Sequence, residues 1–188
     1  MIQKEPLVAQ KLAETKIEVL RSLNGMDLSD LCDAAESTLL DNSLSFNIGM
    51  NRTKPSTRES LESYWKGVLL VPERILIIGR IDGVIAASVQ LIKPAPDNQT
   101  SAFSGTIERH FVAPWARGHG LAKALLSEAE AHAKAAGLSV LRLSVRANLE
   151  AAIALYESLG YIRFGTLSKY EMVDGKMLAG HFYYKELQ

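Results

Sequence analysis

Between Arg117 and Lys123 the chain reads Arg-Gly-His-Gly-Leu-Ala-Lys. The chemistry of this stretch is that of exposed backbone donors. A strand pattern precedes it, with Ile107 and Phe111 alternating with Glu108 and His110 up to Val112. Ala113-Pro114-Trp115-Ala116 breaks that strand, because proline cannot donate to a ladder. A helical pattern opens at Leu121 and runs on through Ala124, Leu125 and Glu128. The first N–H groups of a helix have no partner within it. The helix dipole adds about half a positive charge there, and phosphate oxygens satisfy both demands. The bend is therefore expected to hold the pyrophosphate of a cofactor. A phosphate-binding P-loop is excluded, since Gly120 is followed by Leu121 and not by Lys and Ser or Thr. A dinucleotide fingerprint fails too: Gly118 and Gly120 supply only two of its three glycines, and no acidic residue ends a following strand. Taken alone, this stretch also fits a strand-to-helix turn that uses glycine for geometry only.

The 188 residues carry 21 basic and 21 acidic side chains. Neutral net charge gives no basic surface, which argues against nucleic acid or membrane as a primary partner. No apolar run approaches the ~20 residues of a membrane span. The N-terminus, with Lys4, Glu5 and Lys11 among apolar residues, does not read as a signal peptide. The single cysteine, Cys32, leaves no intrachain disulfide and suits a reducing cytoplasm.

The elements that must position the bend follow from periodicity. Residues 1–16 form an N-terminal extension, and 17–188 are expected to form one domain. A short strand covers Ile17–Leu20. Asp27 is expected to cap a helix that runs to about Leu40. The polar stretch 41–54 is a loop, with a second reading as one wall of an acceptor pocket. Ser56 and Glu59 form a capping box for a helix with Leu61, Trp65 and Val68 on its buried face. Asp82-Gly83 joins two β-rich runs, Arg74–Ile81 and Val84–Lys93, into a hairpin. The helix after Gly120 extends to about Ala136 and is closed by Gly137. An apolar strand, Leu138–Val145, then lies parallel to the central one. Asn148 is expected to cap a short helix that ends at Gly160. Tyr161–Val173 and Met177–Leu187 make a closing hairpin across Asp174-Gly175.

Arg117-x-x-Gly120-x-Ala122, preceded by Val112-x-Pro114, resembles the pyrophosphate motif (Gln or Arg, x, x, Gly, x, Gly or Ala) of the GNAT N-acetyltransferase superfamily. Leu155-Tyr156-Glu157-Ser158-Leu159-Gly160-Tyr161 is similar to that superfamily's Leu-Tyr-x-x-x-Gly-Phe/Tyr signature, with Tyr156 standing 36 residues after Gly120. The closing hairpin is also similar to members acting on small molecules, such as tabtoxin-resistance-like enzymes. The resemblance covers about residues 17 to 187. It implies an α/β acyl-CoA N-acyltransferase fold, a mixed central sheet of about seven strands flanked by helices.

It further implies acetyl-CoA as co-substrate, with no metal, and direct attack of a small-molecule amine on the thioester. The pantetheine arm would bond the main chain of His110, Phe111 and Val112. The pyrophosphate would meet the N–H groups of Gly118, His119, Gly120, Leu121, Ala122 and Lys123, with charge from Arg117 and Lys123. The His119 side chain is expected in solvent. Tyr156 matches the thiolate-protonating tyrosine: its ordinary pKa of about 10 leaves it protonated at neutral pH. Glu108 is the candidate proton acceptor. Three positions depart from common family residues: Thr106 and Ser144 stand where glutamates occur, and Leu149 where an asparagine contacts pantetheine. Asn148, one residue earlier, is the candidate in its place, although helix capping would explain it. A homodimer is allowed by the resemblance. A non-catalytic acyl-CoA-binding module, or an enzyme acting on peptide N-termini or protein lysines, are the alternative readings.

Overall fold

The computed structural model describes residues 13–41, 57–173 and 175–188. A single seven-stranded sheet holds the structure, in the order β1-β2-β3-β4-β5-β7-β6. Its strands are β1 (Thr15–Val19), β2 (Arg74–Ile81), β3 (Val84–Ile92), β4 (Ser104–Val112), β5 (Val140–Arg146), β6 (Ile162–Val173) and β7 (Lys176–Glu186). The helices are α1 (Asp27–Leu40), α2 (Arg58–Val68), α3 (Leu121–Ala135) and α4 (Glu150–Ser158). Neighbouring strands run antiparallel except β4 and β5, which α3 connects as a parallel crossover. The seven strands and flanking helices match the expected acyltransferase fold.

The burial pattern explains the layers. β3 is buried at every position from Ile85 to Leu91, so both of its faces are covered. On one face lie α1 and α2: Trp65 of α2 is fully buried and its ring lies 6.3 Å from that of Phe111. On the other face lies α3: a Cβ at Gly79 would meet Leu121 Cδ2 at 3.2 Å. Asp82 (φ 48°) and Gly83 (φ 89°) close the β2–β3 hairpin in the left-handed region, as an Asp-Gly turn requires.

Several local expectations change. β1 starts at Thr15, two residues early. Asp27 is the first helical residue rather than a cap; its carboxylate accepts from the Asn24 N–H at 3.0 Å and from Arg80 Nη2 at 2.7 Å. Thr57 caps α2, accepting from the Ser60 N–H at 3.2 Å. Ser56, the loop 42–54 and Asp174 lie outside the described residues. Asn148 makes no cap for α4, whose N-cap is Leu149 with no side-chain bond. Cys32 is buried, and loss of solvation pushes its thiol up to about 11, which suits an inert core residue.

Two irregularities open the middle of the sheet. β4 and β5 pair only at Ser104–Val140, Gly105–Leu141 and Thr106–Arg142. Beyond Thr106 the strands part. β4 also carries a bulge: Ser88 faces Phe111 and Gln90 faces Glu108, so Val89 alone opposes both Arg109 and His110. Arg109 takes φ 52° to accommodate the extra residue. Regular alternation would put Glu108 and His110 on one face. The bulge instead places Glu108 with Phe111 toward α2 and sends His110 toward α3.

Candidate active site

Gly120 caps α3 with φ 75° and no side-chain bond to the helix N-terminus. The first intrahelical bond runs from the Ala124 N–H to Gly120 O at 3.1 Å. The N–H groups of Leu121, Ala122 and Lys123 are thus left without helical acceptors. Gly118 has φ 84°, and a Cβ at either glycine would stand in open space. The glycines serve the backbone path and keep the approach to these donors clear. A cavity of about 600 Å³ opens there, lined by Phe111, Val112, Gly118, Gly120, Ala122 and Lys123, and on the α4 side by Asn148. Arg117 also lines it, with Nη2 donating to Asp41 Oδ2 at 2.6 Å. His119 turns back on its own loop, where Nδ1 lies 3.2 Å from Ala116 O and 3.1 Å from Arg117 O.

A second cavity, of about 340 Å³, occupies the gap between the parted strands. Glu108, Arg109, Ser144, Arg146, Tyr170 and Glu171 line it. Glu108 Oε2 stands 3.5 Å from Arg74 Nη1, with 38% of the side chain exposed. Arg74 Nη1 also donates to Gln90 Oε1 at 2.7 Å, and Gln90 Nε2 donates to the Tyr64 hydroxyl at 2.9 Å. Arg146 Nε donates to Glu171 Oε2. The Tyr170 hydroxyl and Ser144 Oγ are 2.7 Å apart.

The two cavities share His110, Leu149, Ala152 and Tyr156. Tyr156 is 6% exposed and packed by rings: Tyr161 at 5.9 Å, Tyr183 at 6.4 Å and His110 at 5.8 Å between centroids. Its hydroxyl lies 3.1 Å from His110 Nδ1. His110 Nε2 lies 3.0 Å from Ala122 O in the first turn of α3. Burial lowers the His110 pKa to about 4, only partly offset by the bond to Ala122. Burial also raises the Tyr156 pKa well above its ordinary value. At neutral pH the ring is uncharged and the phenol keeps its proton.

The anticipated residues therefore gather at one place: the bend, the strand end at His110–Val112, Glu108 and Tyr156. The His110 side chain, Tyr170 and the Arg146–Glu171 pair were not anticipated. Tyr170 reaches the cavity through a bulge in β6, where Leu167 pairs with Gly180 and Glu171 pairs with Leu178. Its ring then lies over Gly180, where a Cβ would occupy the ring's position. Among the described residues no cluster of three or more His, Cys, Asp or Glu could hold a metal ion. Among the described residues no helix is long and apolar enough to cross a membrane.

The acetyltransferase (GNAT) family model matches residues 41–161. An uncharacterised N-acetyltransferase from the hisH–hisA intergenic region of Azospirillum brasilense is 48% identical over 135 residues, 72% of this chain and 77% of the relative. An N-acetyltransferase of Staphylococcus aureus Mu50 shares the fold at TM-score 0.74, with 19% identity over 93% of this chain and 99% of that one. The yncA protein of Salmonella typhimurium, solved with its cofactor acetyl-CoA, superposes at TM-score 0.70, with 16% identity over 93% of this chain and 94% of that one. This chain belongs to the GNAT family of acetyltransferases, which take their acetyl group from acetyl-CoA.

Proposed function

We propose that the protein transfers the acetyl group of acetyl-CoA to a primary amine of a small molecule, by direct attack within a ternary complex. The observation that carries this reading is the junction of the two cavities at Tyr156. One cavity opens along α3 and α4 past uncapped backbone donors, as a diphosphate with a long arm demands. The other passes through the sheet toward the α2 side. Both ligands can be held at once, meeting where the strands part. At about 340 Å³ the second cavity has the size of a small-ligand site.

The roles follow. The amides from Gly118 to Lys123 bind the pyrophosphate, and the main chain of His110–Val112 bonds the arm. Arg117 adds charge once it exchanges Asp41 for phosphate. The amine nitrogen bonds the acetyl carbon, and the carbon–sulfur bond breaks. Tyr156 protonates the departing sulfur; Glu108 takes the proton from nitrogen, directly or through water; both residues reset with solvent.

The test is release of free thiol from acetyl-CoA across a panel of small amines, amino acids and peptides. Turnover is expected with small amines. Turnover confined to peptides would move the acceptor to polypeptide N-termini or lysines. Binding of acetyl-CoA without turnover on any acceptor would leave an acyl-CoA-binding module.

A further inference from the structure

Ala122 O can only accept, so the hydrogen on His110 Nε2 must point at it. An uncharged imidazole has one N–H, and here it is spent on α3. His110 Nδ1 is consequently a bare lone pair, and the Tyr156 hydroxyl 3.1 Å away must be the donor. Among the described residues Tyr156 has no other hydrogen-bond partner, so its oxygen lone pairs are left for the cavities.

We infer that His110 is a positioning residue that fixes the Tyr156 hydroxyl at the junction of the two cavities, holding its proton until the sulfur becomes anionic. The inference rests on the reading of Tyr156 as the acid. In the resting enzyme the proton lies along the Tyr156–His110 bond. As the carbon–sulfur bond breaks, the sulfur becomes a charged acceptor, and charged acceptors hold a hydrogen about twice as strongly as neutral ones. The hydroxyl then turns from Nδ1, and the proton passes to sulfur. His110 stays neutral throughout. Burial prevents it from competing for the proton, and Ala122 O keeps its ring from rotating. The residue thus acts through Tyr156, without touching the reacting atoms.

The bulge at Arg109 makes this contact possible, because it turns His110 toward α3 and α4. Ala122 belongs to the same first turn whose N–H groups face the expected pyrophosphate. Occupation of the bend and orientation of the acid are thereby tied to one turn of helix.

The test has two arms on the full chain. Nitrogen-15 NMR of the histidine side chains at neutral pH is expected to show His110 as the neutral tautomer with its hydrogen on Nε2. A hydrogen on Nδ1, or an imidazolium, would overturn the inference. In steady-state kinetics, His110→Leu is expected to lower kcat about tenfold or more, up to the about 10²–10⁴-fold that a positioned acid is worth, with KM for acetyl-CoA nearly unchanged. His110→Asn, whose Oδ1 can accept where Nδ1 did, is expected to recover most of the loss. Equal losses in both variants at unchanged melting temperature would overturn it, as would full activity in His110→Leu. Tyr156→Phe separates the two readings. If that variant keeps full turnover, the acid assignment itself fails. If it is inactive while His110→Leu is not, only the present inference fails.

Discussion

The ring of Tyr170 lies over Gly180, in the space that the Cβ of any other residue would need. Glycine at 180 therefore admits an aromatic ring to the wall of the smaller cavity, proposed above to take the acceptor, where its hydroxyl meets Ser144. Gly180→Ala should expel the ring and break that bond. A neutral hydrogen bond is worth roughly 0.5–1.5 kcal/mol, so acceptor KM should rise about three- to tenfold while the acetyl-CoA Kd holds. Tyr170→Phe should reproduce the kinetic change without the packing cost. An acetyl-CoA Kd that moved as far as the acceptor KM would place Tyr170 outside the acceptor site.

Gly120→Ala tests the phosphate bend. The left-handed backbone costs a non-glycine residue about 1–2 kcal/mol, and the new methyl group would project into the open space beside the larger cavity. Acetyl-CoA at about 100 times its Kd should stabilise the unmodified protein by about 2.7 kcal/mol. In the variant, calorimetry should show weaker cofactor binding and a smaller thermal shift at the same concentration. An unchanged Kd would mean that the cofactor does not approach this bend.

Glu108→Gln keeps the shape of the side chain and removes the carboxylate proposed above as the proton acceptor. A positioned base is typically worth about 10²–10⁴-fold in rate, so kcat should fall by an amount within that range. The Arg74–Glu108 pair is partly exposed and 3.5 Å apart, so folding stability should change by less than about 1 kcal/mol. Full turnover in the variant would remove Glu108 from the mechanism.

His110 gives the fold a pH signature. Its pKa falls from 6.5 to about 4 on folding. Between those values the unfolded chain binds more protons, so stability rises with pH and is lost as pH falls from about 6.5 toward 4. At 1.36 kcal/mol per unit this loss reaches about 3 kcal/mol at most. Urea unfolding at successive pH values should show this slope for the unmodified chain and a flatter one for His110→Asn. Parallel slopes would mean that His110 is not the buried neutral group described above.

Local chemistry was legible in the sequence wherever it depended on neighbouring residues. The Gly118–Gly120 spacing, the helix opening at Leu121 and the Asp82-Gly83 hairpin are all short-range demands of the backbone. Tyr156 was placed by the resemblance of Leu155–Tyr161 to a family signature, found one helix, one strand and one turn beyond the bend. The partners of capping residues were less legible. Asp27 is drawn off by Arg80, 53 positions away, and Asn148 gives up the cap of α4 to the backbone of Leu149. The bulges were not legible at all. Nothing in Glu108-Arg109-His110 announces that one residue of β3 will face two of β4, yet that mismatch decides which side of the sheet each residue serves. Tyr170 was hidden for the same reason, since its place depends on a bulge in β6 and on a glycine in β7.

The single surplus residue in β4 also says what shortening would do. Remove Arg109, and the ladder between β3 and β4 can run unbroken to the strand's end. Ordinary alternation would then still hold Glu108 and Phe111 on one side and His110 on the other, but the local bend and extra twist of the bulge would be lost. The surplus residue is thus a hinge in the strand's course: it turns β4 just past the point where it leaves β5, and a shortened strand would run straight there.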